Sequence, residues 1–336
     1  MELRAHKVSL ALTETFTIAR QSRVVEHVVH VELEHDGIVG YGEGAPVDYW
    51  GETQDSMLAF LEHEAPDLLG GDPYAHEYIG RRLAMRPGEQ GAKQAIDAAL
   101  HDWLGKRLGE PVWRLFGLSP TSPPTSYTIG IDSIEGTVDR TRRAHGYKVL
   151  KLKVGGADDL ERLRAVSENS GARIRIDGNE GWTLETAREL MPALVELGVE
   201  FVEQPFPAAD LDSFRALREL SPRIPVVVDE GCKDLLDVAR VASYADGVNI
   251  KLAKSGGIRE ALRMIHAARA LGLQVMLGCM IESELGIAAA AQIASLVDYV
   301  DLDGHLLISN SPFTGLGFRD GGVVASADPG LGVRPE

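Results

Sequence analysis

Asp177, Glu203 and Asp229 recur at intervals of 26 residues, each closing a short apolar run in the segments RIRID, EFVE and PVVVD. Three oxygen donors brought to one point, with no histidine or cysteine among them, suit a hard cation such as Mg2+ better than zinc. Lysines punctuate the same pattern, with Lys151 and Lys153 in VLKLK and Lys251 closing GVNIK. A lone acid at a strand end commonly caps the next helix, and a lone lysine there is commonly a solvated charge. Three acids in one phase with lysines between them point instead to a shared site. Ammonium groups that face each other across a divalent cation each feel positive charge, so the lysine pKa values are expected to fall toward the range of a general base. Such lysines could remove a proton from the carbon beside a carboxylate, with the metal holding the resulting enediolate. A second acidic pair, Asp301 and Asp303 in YVDLDGH, would share one face of a strand and repel unless a cation lay between its members.

These residues require elements that project them to a common point. From about residue 125 the chain alternates eight short apolar runs (SYTIGI, VLKLKVG, RIRIDGN, EFVEQP, PVVVDEG, GVNIKL, QVMLGCM and YVDLDGH) with amphipathic stretches such as TLETARELMPALVELG. Continuous apolar strands alternating with helices indicate a parallel sheet covered on its outer face. Eight of them at an average spacing of about 25 residues fit a closed (β/α) barrel, whose catalytic groups belong at the C-terminal strand ends. The N-terminal third reads differently. VVEHVVHVELEHDGIVGYGEG alternates on both sides of Asp36-Gly37, a hairpin signal. Residues from about 55 to 117 turn helical, and AKQAIDAALHDWLGKRLG places Ala95, Ala98, Ala99, Trp103 and Leu104 on one face before Gly109 and Pro111 stop it. The expected division is an α+β unit over residues 1–120, completed by residues from about 310 to 336, and a barrel over 121–309. No linker separates them, so they should pack tightly.

Composition excludes several classes of function. With 336 residues and 44 % hydrophobic content the chain can bury a large core and is not disordered. Its 34 basic against 50 acidic residues give a net charge of -16, which makes nucleic acid and anionic membrane poor partners. Cys232 and Cys279 are too few for a disulfide framework or a zinc site. The opening MELRAHKVSL has no long apolar stretch, and no segment is long enough for a membrane span. The expectation is a soluble cytoplasmic protein acting on a small molecule, with a homo-oligomer left open.

Taken together, Lys151-x-Lys153, Asp177-x-Asn179, Val202-Glu203-Gln204-Pro205, Asp229-Glu230 and Asn249-Ile250-Lys251-Leu252 resemble the muconate-lactonizing subgroup of the enolase superfamily. Gly40-Tyr41-Gly42-Glu43 and the helix near Asp97 to Gly109 extend the resemblance to that family's capping domain. The resemblance implies an α/β fold, a (β/α)7β-type modified TIM barrel with an α+β N-terminal capping domain. It implies Mg2+ on Asp177, Glu203 and Asp229, and acid/base roles for Lys153 and Lys251. Lys151 would meet the substrate carboxylate and depress the pKa of Lys153, while Asn179 and Glu230 would support the ligands from behind. Asp301-Leu-Asp303 is similar to the pair with which dipeptide epimerases bind a substrate's free ammonium, so the implied substrate is a dipeptide and the reaction an isomerisation of its C-terminal residue. Thr128, Cys279, Met280 and Ile281 would line the dipeptide, and Arg20 would meet an acidic side chain. Arg23 lies close by, and the Tyr49-Trp50-Gly51 turn would favour an apolar side chain instead. The alternatives are other activities of the subgroup (N-acylamino acid racemase, o-succinylbenzoate synthase, cycloisomerase), a Schiff-base lyase or aldolase, and a barrel that only binds amino compounds.

Overall fold

The computed structural model describes residues 1–336. Its N-terminal part is an antiparallel sheet of β1 (Glu2–Ile18), β2 (Gln21–His35) and β3 (Ile38–Gly44). Asp36 and Gly37 form the expected hairpin turn between β2 and β3 with φ of 52° and 74°, the left-handed pair that matches strand twist. The sheet packs on the helix Gln90–Leu108 along a stripe of Gly40, Gly42 and Gly44. These are alternate residues of β3, and a Cβ at each would run into the helix backbone at Ala99, Ala95 and Gly91. Period two thus puts three missing side chains on one face, and the strand lies directly on the helix main chain.

That helix is buried almost all round between Gly91 and Trp103, not along the single face its pattern suggests. The sheet covers one side and the barrel covers the other, so its polar residues are used as bonds between the two parts. Asp97 Oδ2 accepts from the backbone N–H of Ile258 (2.6 Å) and Arg259 (3.3 Å), capping the barrel helix Ile258–Ala270 from another unit. Asp102 accepts from Leu331 N–H and Tyr41 N–H, each at 2.8 Å. From β3, Glu43 accepts from Ser283 N–H (2.8 Å) and from His30 Nε2 (2.7 Å).

The barrel strands are β4 (Tyr127–Ile129), β5 (Val149–Lys153), β6 (Arg173–Asp177), β7 (Val202–Glu203), β8 (Val226–Val228), β9 (Gly247–Lys251), β10 (Gln274–Gly278) and β11 (Tyr299–Asp301). They pair in parallel in chain order, and a bridge between Thr125 and Val300 joins the last strand to the first. Helices follow the first seven strands and none follows the eighth in the same way, which gives the (β/α)7β arrangement expected. Alternation sorts the interior into layers. Lower in the barrel, Arg175, Phe201, Val227, Met276 and Tyr299 fill the space, with the guanidinium of Arg175 5.4 Å from the Phe201 ring and 5.0 Å from that of Tyr299. Two residues further along five of those strands stand Asp177, Glu203, Asp229, Gly278 and Asp301. The apolar layer therefore forms the floor of an ionic one.

No helix is long and apolar enough to cross a membrane. The C-terminal residues return toward the helix end: Gly330 O accepts from Val112 N–H at 3.0 Å and Ser326 O from Trp113 Nε1 at 2.9 Å. Because the glycine stripe touches main chain, which cannot move aside, Gly42→Ala is expected to cost about 3 kcal/mol, the upper end of ordinary overpacking. Urea unfolding at fixed pH measures it, and an unchanged midpoint would refute the close-contact account.

Candidate active site

Strand ends bring the sequence-selected residues together at the C-terminal mouth. Lys153 Nζ lies 2.7 Å from Asp177 Oδ2, and Lys251 Nζ lies 2.7 Å from Asp229 Oδ2 on the far side. Between them Lys151 Nζ reaches Asp301 Oδ2 (2.6 Å), Glu203 Oε2 (2.7 Å) and Asp177 Oδ2 (3.1 Å). All of these side chains are buried. Ammonium groups, not a ready-made cage of acids, bridge the carboxylates here. Even so, Glu203 Oε2 receives no hydrogen bond, since Lys151 is near it but off the bonding direction.

The electrostatics follow from this crowding. Burial, with Asp177 and Asp229 beside it, pushes the Glu203 carboxyl up to about 8 despite Lys151. Against the same burial penalty, Lys153 and Lys151 hold Asp177 well below the usual carboxylate range, and Lys251 and Lys254 do so for Asp229. Lys251 and Lys151 shift in the direction set by their acidic neighbours. Burial pulls Lys251 down, but Asp229 and Glu203 outweigh it and raise the pKa; Asp301, Glu203 and Asp177 likewise raise Lys151. The expectation of lowered values assumed a divalent cation between the ammonium groups, whereas here they are the carboxylates' counter-charges. Three buried carboxylates that lysines only partly neutralise suit a hard divalent cation in charge and donor type.

The strand-eight pair is incompletely satisfied as well. Asp303 Oδ2 accepts from Thr128 N–H at 2.6 Å, and Asp301 Oδ1 is buried with no hydrogen bond. Burial and the neighbouring Asp301 push the Asp303 carboxyl up to about 7. Thr128, Cys279, Met280 and Ile281 line the same cavity, and Cys279 Sγ donates to Asp301 O at 3.2 Å. Asn179 N–H donates to Asp177 Oδ1 (2.9 Å), and Asn179 Nδ2 donates to Glu230 Oε1 (3.3 Å). Arg20 comes down from the β1–β2 turn and is held by Glu180 (3.0 Å) and Glu230 (2.8 Å), so barrel carboxylates already engage it. Arg23 is likewise taken up by Glu26 and Asp48.

Three residues set the ligands without a role given to them on sequence: Lys254, which no motif singles out, and Gln204 and Asn249, which stand only as members of motifs. Lys254 is fully buried and donates to Asp229 Oδ1 and Asp229 O, both at 2.5 Å, and to Asn249 O at 3.0 Å. Asn249 Nδ2 holds Glu203 Oε1 at 2.7 Å. Gln204 Oε1 accepts from the N–H of Asp229 (2.9 Å) and Gly231 (3.2 Å), with Gln204 itself at φ 36°. The signal for Gln204 and Asn249 is their place in the motifs Val202-Glu203-Gln204-Pro205 and Asn249-Ile250-Lys251-Leu252, and for Lys254 a lysine one helical turn past Lys251, amid small residues.

Residues 1–117 match the mandelate racemase / muconate lactonizing enzyme N-terminal domain, and residues 134–336 match the enolase C-terminal domain-like family. The chain therefore belongs to the enolase superfamily, in its mandelate racemase/muconate-lactonizing branch. It is similar to the L-Ala-D/L-Glu epimerase of Bacteroides thetaiotaomicron, 38 % identical over 99 % of this chain and 88 % of that protein. The L-Lys-D/L-Arg epimerase of Methylococcus capsulatus is 36 % identical over 96 % of each. Among solved structures, the dipeptide epimerase of Enterococcus faecalis, complexed with Mg and L-Leu-L-Tyr, superposes with TM-score 0.92 at 31 % identity over 98 % of both chains.

Removing Lys254 would leave the buried Asp229 short of one counter-charge. Lys254→Met is expected to destabilise the chelator-treated protein by roughly 3–5 kcal/mol. Urea unfolding in EDTA reads this directly, and a loss below about 1 kcal/mol would place Lys254 outside the network.

Proposed function

We propose that this protein is a Mg2+-dependent dipeptide epimerase that inverts the α-carbon of the C-terminal residue. The Asp301–Asp303 pair carries the reading. Two buried acids side by side, one with an unpartnered oxygen and one pushed up to about 7, call for a cation. The free α-ammonium of a dipeptide supplies it, whereas an N-acylated substrate cannot. The similarity to epimerases of L-Ala-D/L-Glu and L-Lys-D/L-Arg dipeptides supports the same substrate class.

In this reading Asp177, Glu203 and Asp229 hold Mg2+, which when bound supplies positive charge against the substrate carboxylate as the α-proton leaves. Lys153 on β5 and Lys251 on β9 stand four strands apart in a ring of eight, on opposite sides of the mouth. One Nζ takes the α-proton from one face, and the other returns a proton to the opposite face, which inverts the centre. Lys151 orients the substrate carboxylate from below. Thr128, Cys279, Met280 and Ile281 exclude water around the peptide, while Asn179 and Glu230 steady the ligand side. Barrel and capping residues line one cavity together, which limits the water around the reacting centre.

Incubating a dipeptide library with the protein and Mg2+ in D2O tests this, since each epimerised substrate gains one mass unit. Exhaustive chelation should abolish the gain and Mg2+ restore it; exchange that survives chelation would remove the metal assignment. Lys153→Ala and Lys251→Ala should each block inversion, yet each should still exchange the isomer whose face keeps its lysine. Equal residual exchange of both isomers in both variants would rule out two bases.

The ammonium site has its own test. Asp303→Asn should lower kcat/KM for an unblocked dipeptide by about one to two orders of magnitude, the worth of a buried charge-assisted bond. N-acetylated dipeptides should be poor substrates of the native protein. A native preference for N-acyl substrates would move the assignment to an N-acylamino acid racemase.

A further inference from the structure

Each of the three acids read as metal ligands has one oxygen tied to a protein donor and the other turned toward a lysine of the mouth. Asn179 N–H donates to Asp177 Oδ1 at 2.9 Å, Asn249 Nδ2 to Glu203 Oε1 at 2.7 Å, and Lys254 Nζ to Asp229 Oδ1 at 2.5 Å. The remaining oxygens meet Lys153 and Lys151 at Asp177 Oδ2, Lys151 at Glu203 Oε2, and Lys251 at Asp229 Oδ2. Because Lys151 Nζ is within 3.1 Å of both Asp177 Oδ2 and Glu203 Oε2, the inner oxygens of these two acids converge on one point. The same division, one oxygen tied and one turned inward, recurs on three successive strands through three different kinds of donor.

The two sets of donors differ in freedom. Lys151, Lys153 and Lys251 line the cavity, so their flexible stems can draw back as a cation enters. Lys254 does not line it. It is buried in the short helix Leu252–Ser255, and its three N–H groups face three acceptors, Asp229 Oδ1, Asp229 O and Asn249 O. Two of these are backbone carbonyls, which keep the ammonium in place whatever the carboxylate does. Asp229 Oδ1 is therefore taken, and only Asp229 Oδ2 is left for a cation in the mouth.

A carboxylate that can give only one oxygen discriminates between hard cations. Mg2+ is small, is satisfied by single oxygens and keeps waters on its other positions, whereas Ca2+ takes about six to eight oxygens and often uses both oxygens of one carboxylate. We propose that Lys254 is a positioning residue that sets metal preference: by occupying Asp229 Oδ1 it holds this acid to single-oxygen ligation and so favours Mg2+ over Ca2+, with Asn249 acting in the same way at Glu203. The inference rests on the metal reading above. It gives a reason for burying a fourth lysine outside the cavity, where it meets no substrate.

Calorimetric titration of the chelator-stripped protein with MgCl2 and with CaCl2 tests this without turnover. Salt at about 0.15 M screens the surface, and Glu203→Gln serves as the blank for ions taken up elsewhere on a chain of net charge -16. The native protein should bind Mg2+ about tenfold or more tighter than Ca2+, and Lys254→Met should cut that ratio by about tenfold, since the freed Asp229 Oδ1 becomes a second oxygen for Ca2+. A purely structural role, or the loss of one positive charge, changes the affinity for both ions together and leaves the ratio alone. Asn249→Leu changes no charge and frees Glu203 Oε1, so it should move the ratio in the same direction. A native preference for Ca2+ overturns the proposal, as does a ratio left within about twofold of native by Lys254→Met, or by Asn249→Leu if the lysine variant does not fold. Either result leaves Mg2+ binding itself standing. If neither ion gives heat above the blank in the native protein, the metal reading falls and this proposal with it.

Discussion

Asp177, Glu203, Asp229, Glu230, Asp301 and Asp303 are all buried at one barrel mouth, and their mutual repulsion is the constraint to which the site answers. At about 4 Å two like charges cost on the order of 4 kcal/mol even with an effective dielectric near 20. Such a set is tolerable only with cations interleaved. Lys151, Lys153, Lys251 and Lys254 provide them as compact point charges on flexible stems, which reach into gaps that a planar guanidinium would not fill. The neutralisation still falls short at two places, where burial and acidic neighbours leave Glu203 near 8 and Asp303 near 7. These are the places where a metal and a substrate ammonium would bring charge. What binds here completes a balance the folded chain leaves open.

Much of this was legible in the sequence because strand periodicity and strand-end placement are simple rules. The spacing of Asp177, Glu203 and Asp229, the lysine pair on one strand and the hairpin at Asp36-Gly37 each translate directly into position. Interactions that depend on the third dimension were not legible. Gln204, Asn249 and Lys254 act on acids of other strands, through the N–H of Asp229, the carboxylate of Glu203 and the carbonyl of Asp229 respectively, and no linear spacing marks such a contact. The helix Gln90–Leu108 reads as one-faced because hydropathy does not distinguish a polar residue in water from one bonded across an interface, as Asp97 and Asp102 are. The lowered lysine values expected from the sequence presuppose a divalent cation between the ammonium groups, and with the carboxylates alone as neighbours Lys251 and Lys151 are raised.

The floor beneath the site has its own logic. Arg175 lies beside the packed rings of Phe201 and Tyr299 and donates to Glu200, Ser126 Oγ and Val300 O, so the charge buried in the barrel interior is paired and hydrogen-bonded. It joins the first, third, fourth and eighth strands near their starting ends. The ionic layer two residues above is thereby set on a base that does not adjust as protons move.

The capping unit grips the barrel largely through acids that accept from main-chain N–H groups: Glu43 at Ser283, Asp97 at Ile258 and Arg259, and Asp102 at Leu331. A backbone N–H is present whatever side chain the residue carries, proline excepted. These backbone contacts therefore persist through most substitutions on the barrel side, and on the capping side they depend on the three acids. The two units can then diverge at separate rates, the capping wall changing its lining while the ionic layer of the barrel stays as it is.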